Sequence, residues 1–179
     1  MNGVNSALLG CVLLGFSLPV WSDHTNKVNY EGTLISLACM VDEDRPVEVD
    51  LGVVEDKRLY LHENSNLVPF SLTLKNCDAS LANSVTVTLQ GTPGSVTPDG
   101  YLMLDKNSVA DGVVLGIMDD NATQGHIAIG SGLPKIPVKN GTMAIPLSAY
   151  LHIKPIALAN KTVVPGTFSA TLYYSVRFE

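Results

Sequence analysis

The side chains in this sequence that could do covalent or coordination chemistry are few and scattered. Cys11, Cys39 and Cys77, with His24, His62, His126 and His152, supply every thiol and imidazole in the chain. A catalytic thiol needs a nearby base and a third group that orients the base, and no such signature surrounds Cys39 or Cys77. The histidines show neither H-x-x-x-H nor Cys-His spacing, so they give no zinc pattern. Asp42-Glu43-Asp44 and Asp119-Asp120-Asn121 lack the graded spacing and following glycine of a calcium loop and read as solvated turns. Neither G-x-S-x-G nor a phosphate-binding glycine loop occurs. From these residues the expectation is no enzyme, no cofactor and no metal.

What the cysteines do depends on where the chain goes. Residues 1–22 carry an apolar run from Ala7 to Leu18, then Pro19 and Val20-Trp21-Ser22. This is the layout of a secretory signal peptide, too short for a transmembrane helix, although its first residues MNGVNS hold no Lys or Arg. Leu8-Leu9-Gly10-Cys11 has the form of a lipoprotein cleavage box, but such boxes follow a basic region, so Cys11 reads as a small hydrophobe within the run. Export leaves Cys39 and Cys77 in an oxidising compartment, where the two are expected to close as a disulfide. All 11 Lys and Arg and all 17 Asp and Glu fall within residues 23–179, giving a net charge of -6. An acidic surface argues against nucleic acid and anionic membranes as partners.

The elements that hold these residues read as strands. Aromatics are only 6% of the chain while Val, Leu, Thr and Ser abound, and no window offers a capped, sustained helical period. Strands are expected over Pro46–Leu51, Val68–Cys77, Ser84–Gln90, Tyr101–Leu104, Gly112–Met118, Thr142–Tyr150 and Tyr150–Lys154. Gly91-Thr92-Pro93-Gly94 and Pro98-Asp99-Gly100 punctuate them as turns. Such spacing indicates an all-β sandwich with one core, for which a complete immunoglobulin-like domain is the default.

Two further stretches change that default. After Pro165-Gly166, the residues Phe168, Ala170, Leu172, Tyr174, Val176 and Phe178 share one parity, the pattern of a long strand with one buried face. Near the other end, Val28, Tyr30, Gly32 and Leu34 share a parity within NKVNYEGTLIS. Taken alone, such a segment is an ordinary core strand, with Gly32 at a β-bulge. Together with the extension leading into Cys39, the second cysteine in LTLKNC and the final G-x-F-x-A-x-x-x-Y-x-V-x-aromatic-x strand, it resembles the chaperone-usher pilus subunits, the type 1 and P fimbrial proteins.

The resemblance implies an incomplete immunoglobulin-like β-sandwich, the pilin fold, lacking its last strand and completed by a donor strand from another protein. It divides the chain into a signal peptide (1–22), an N-terminal extension with the donor strand (23–37) and a pilin domain (38–179). Val28, Tyr30, Gly32 and Leu34 would be the donor side chains, with Gly32 where the family keeps a glycine against a shallow part of the groove. Phe168, Leu172, Tyr174, Val176 and Phe178 would line the acceptor groove and meet a periplasmic pilus chaperone, whose basic residues would anchor the Glu179 carboxylate. Many members have tyrosine where this chain has Phe178, which keeps the ring. The implied partners are that chaperone, the outer-membrane usher and other pilus subunits. The implied route runs through the periplasm to a cell-surface fimbrium. The implied role is a structural subunit, with the extension and the VVPG turn favouring a minor tip or adaptor position. A fibre-terminating subunit and a self-contained carbohydrate-binding adhesin module are the other readings.

Overall fold

The computed structural model describes residues 27–41, 46–119 and 125–179. The signal-peptide reading, Cys11, His24, Asp42-Glu43-Asp44 and Asp120-Asn121 lie outside the described residues. The chain divides into two units, Met1–Leu34 and Ile35–Glu179. In the first, residues 27–34 carry no regular secondary structure, and Val28, Tyr30 and Leu34 are 67%, 91% and 100% exposed.

The second unit is a sandwich of two antiparallel sheets. The larger is built from β1 (Met40–Val41), β2 (Val68–Cys77), β4 (Val113–Asp119), β5 (His126–Ile127) and β7 (Gly141–Ile153), in the order β1-β2-β7-β4-β5. The smaller joins β3 (Ser84–Gln90), β6 (Ile136–Pro137) and β8 (Tyr173–Phe178) in the order β6-β3-β8. Two short helices complete the unit, α1 (Asp56–His62) and α2 (Pro155–Asn160).

Period-two alternation sets the inner faces. In β3, Val85, Val87 and Leu89 are buried between outward Ser84, Thr86 and Thr88. Leu72 and Leu74 of β2 pair with Ile145 and Met143 of β7, and Leu115 and Ile117 of β4 pair with Leu151 and Ala149 of the same strand, so one face of three neighbouring strands forms a continuous core. The Cys39–Cys77 disulfide ties the segment before β1 to the end of β2.

Several expected elements take another form. Thr142–Tyr150 and Tyr150–Lys154 are one strand, β7. Pro146 lies inside it, opposite Ser71 of β2. Pro46–Leu51 is not in a ladder, and Tyr101–Leu104 contributes only the bridges of Leu102 to Val96 and Leu115. The long terminal strand is regular only over β8. The helices were not anticipated, since each is shorter than two turns of reliable periodicity. Both end on a left-handed residue, Glu63 and Lys161, whose N–H caps a carbonyl of the last turn, and α2 opens on Pro155.

The cysteines are 38 positions apart in sequence, and a cross-link of that loop length contributes about 3 to 4 kcal/mol. Replacing Cys39 and Cys77 together by alanine is therefore expected to lower the urea midpoint by a corresponding amount; an unchanged midpoint would contradict the assignment of a stabilising role.

Candidate functional site

The sandwich is unfinished along the outer edge of β8. This strand pairs with β3 and, among the described residues, with no strand on its other side. Its register identifies the groups left over. Ser84 N–H donates to the Glu179 main-chain oxygen at 3.0 Å and Glu179 N–H donates back to Ser84 at 2.9 Å, so odd-numbered residues turn their backbone groups toward β3. In an antiparallel ladder the residues between them point the opposite way. Tyr174, Val176 and Phe178 thus present N–H and C=O to the open edge.

The same parity runs upstream, held by a loop in place of a strand. Asp105 N–H donates to Ser169 O at 2.8 Å, and Val109 and Ala110 N–H donate to Thr167 O at 2.8 and 3.1 Å. Ser169 N–H donates to Ser108 Oγ at 3.0 Å, and Thr171 Oγ1 donates to Asp105 Oδ2 at 3.1 Å. Residues 105–110 therefore do for 167–171 what β3 does for β8. Phe168, Ala170 and Leu172 are left facing the same open edge as Tyr174, Val176 and Phe178.

Burial along one register measures what is missing. Val85, Val87 and Leu89 of β3 are 0%, 0% and 1% exposed, whereas the residues directly opposite on the same inner face, Phe178, Val176 and Tyr174, are only half-buried. The chemistry of the two rows is alike; what differs is that β3 has a neighbour on each side and β8 has one.

A second rail meets the start of this edge at Val54. In residues 46–54, Val49, Leu51 and Val54 pack on the core while the backbone stays out of any ladder. The end of this segment and the start of the terminal one meet at a cavity of about 450 Å³ lined by Val54, Leu59, Val113, Leu151, Val163 and Phe168. Its apolar wall comes from side chains on five separate parts of the chain, with Glu55, Asp56 and Lys57 at the rim. Continuing the open edge of Phe168–Phe178, this opening is suited to take up an extended peptide as an added strand.

The far end of the edge is fixed within the chain. The Glu179 main-chain oxygen accepts from Asn83 N–H at 2.8 Å as well as from Ser84. Its side-chain carboxylate pairs with Lys135, which holds it below the usual carboxylate range, and Arg177 Nε lies 4.0 Å away. Glu179 therefore already has partners in its own chain.

Among the sequence-expected site residues, Phe168, Leu172, Tyr174, Val176 and Phe178 come together on the open edge, and Glu179 ends it. Val28, Tyr30, Gly32 and Leu34 lie in the other unit, exposed; a Cβ added to Gly32 would meet nothing within 4 Å. Sequence reading missed the 105–110 loop and the cavity. The alternation of Pro46–Leu51 was a legible trace of the second rail; nothing local marked Leu59, Val113 and Leu151 as one surface. Among the described residues, no group of three His, Cys, Asp or Glu is placed to hold a metal ion.

The sequence model described as fimbrial protein matches residues 28–179. The uncharacterized fimbrial-like protein YfcP of Escherichia coli K12 is 30% identical over 167 residues, covering 92% of this chain and 89% of that protein. The fimbrial adapter PapK of Escherichia coli is 25% identical over 175 residues, covering 94% of this chain and 97% of that one. In fold, the chain is similar to the P pilus rod subunit PapA, with a TM-score of 0.65 and 15% identity over 80% of this chain and 100% of the other.

The open edge depends on a close approach at its start. A Cβ at Gly166 would lie 2.6 Å from Val109 Cγ1, 2.7 Å from Val109 Cβ and 3.0 Å from Ala110 N. Gly166→Ala must push residues 167–171 off the 105–110 loop, and is expected to cost about 1 to 3 kcal/mol in urea unfolding; no loss would show that this contact does not position the strand.

Proposed function

The chain belongs to the fimbrial protein family, and from that premise we propose that it polymerises by donor-strand exchange as a minor tip or adaptor subunit of a chaperone-usher fimbrium. The observation that carries this reading is the register in which β3 side chains are sealed and their β8 partners are not. A strand laid along Phe168–Phe178 completes both deficits at once. It takes up the main-chain groups of the even-numbered residues and covers their half-exposed side chains.

Residues 23–37 supply that strand to a neighbouring subunit, with Val28, Tyr30, Gly32 and Leu34 as the inward-facing set, and residues 38–179 form the accepting domain. Covering Val28, Tyr30 and Leu34 contributes about 1.5 to 3 kcal/mol each, before the hydrogen bonds are counted. Before assembly, a periplasmic chaperone strand occupies the same edge, with the Glu179 carboxylate at its end; the outer-membrane usher is where the exchange takes place, and the fimbrium is on the cell surface. The full-length open edge and the cavity beyond Phe168 support an accepting subunit over one that ends the fibre, as does the similarity to a fimbrial adapter.

The test is Gly32→Asn. A side chain there meets nothing within 4 Å in the subunit, so folding and chaperone capture are expected to be unchanged. Incorporation into the next subunit, followed as disappearance of the subunit–subunit ladder on unheated gels, should fall at least tenfold. Loss of chaperone capture and incorporation together would instead assign Gly32 to the subunit's own fold and overturn the donor assignment.

A further inference from the structure

On the outer face of the larger sheet, far in sequence from one another, three rings are stacked. Tyr101 lies 3.9 Å from His126 at an interplanar angle of 17° and 4.6 Å from His152 at 9°. Two rings cannot share one face of a third at these distances, so Tyr101 is held between the imidazoles. We propose that this His126–Tyr101–His152 stack is an acid-sensitive clasp, which releases residues 97–110 and so loosens the pairing of residues 167–171 when the imidazoles protonate.

The clasp is built in from several elements. His126 is on β5, His152 on β7, and Tyr101 follows the Pro98-Asp99-Gly100 turn. Tyr150 of β7 reaches His126 Nδ1 at 3.3 Å, and its ring sits where only a glycine leaves room: a Cβ at Gly116 would lie 2.4 Å from Tyr150 Cζ. His152 Nδ1 meets Asn64 Oδ1 at 2.8 Å, just past α1. His126 Nε2 is buried with no partner among the described residues. Nδ1 of each imidazole has a partner, and the backbone at Asp99 and Gly100 favours a proton on His126, against the cost of burial.

The groups facing the pair are Glu63 and Asn64 after α1, Asp99 and Tyr101 on the turn, Tyr150 on β7, and each imidazole for the other. Glu63 and Asp99 favour protonation of His152, and a tyrosine face attracts a cation. Burial opposes this and prevails, pushing both histidines below the ordinary imidazole value, and the charge of His152 further disfavours a charge on His126. The folded state then binds fewer protons than the unfolded chain. Stability that is full above the ordinary value of about 6.5 is lost as pH falls through the lowered values.

The mechanical link is short. Leu102, next to Tyr101, is wholly buried and exchanges two backbone hydrogen bonds with Leu115, at 2.9 and 2.8 Å. Three residues later Asp105 begins the pairing with Ser169. Losing the Tyr101 stack therefore leaves that end of the segment beside the terminal residues held by Leu102 and Met103 alone.

The experiment uses the full exported chain. Imidazole titration by NMR reads the two histidines directly, and urea unfolding at about pH 7.5 and about pH 5 brackets the ordinary imidazole value. His126→Phe with His152→Phe keeps stacked rings and removes the protons. The expected results are imidazole values below that of free histidine, an acid-induced drop in midpoint for the natural chain, and a drop reduced by at least half in the double variant. Imidazole values at or above that of free histidine, or an equal drop in the double variant, would overturn the clasp. If the double variant does not fold, the titration of the natural chain decides alone.

Discussion

An antiparallel strand with one neighbour has half of its main-chain hydrogen bonds unmade, and everything notable in this protein follows from β8 being such a strand. Its odd-numbered residues are satisfied by β3, and its even-numbered residues carry both the unpaired backbone groups and the inward side chains. The two deficits therefore fall on the same residues. One added strand corrects both, and nothing smaller does.

An exposed apolar edge is ordinarily a template for aggregation. Here the sandwich confines the exposure to one cleft. The opposite face of the core is sealed by β2, β7 and β4, the end of the edge is tied through Glu179 to Asn83, Ser84 and Lys135, and its start is braced by the 105–110 loop against Gly166. Among the described residues the groove is thus braced on the side of β3 and the 105–110 loop and open on the other. That division is what the proposed donor-strand exchange requires.

Strands with one buried face and a partner on each side were legible to within a residue, as β3 shows, because alternation reports which face is covered. Alternation does not report whether a backbone partner exists. That is why Pro46–Leu51 and residues 167–172 read as strands and are extended segments without a regular ladder. β7 was read as two pieces meeting at Tyr150 because the stretch Leu147–Leu151 is buried on both faces and hides the alternation. The cavity and the histidine clasp were not legible at all. Their residues are brought together by strand order: His126 on β5 and His152 on β7 flank β4 opposite Met118 and Val114, and Tyr101 bridges them.

The most direct measurement is amide hydrogen exchange along Phe168–Phe178, for the chain alone and for the chain with its own residues 23–37 joined to the C-terminus through a flexible linker. The amides of Tyr173, Ser175 and Arg177 should be protected in both. Those of Leu172, Tyr174, Val176 and Phe178 should exchange freely in the chain alone and become protected when the extra segment is present. Protection of the even-numbered amides in the chain alone would mean that the edge is already paired, and would contradict a fold that waits for a strand from elsewhere.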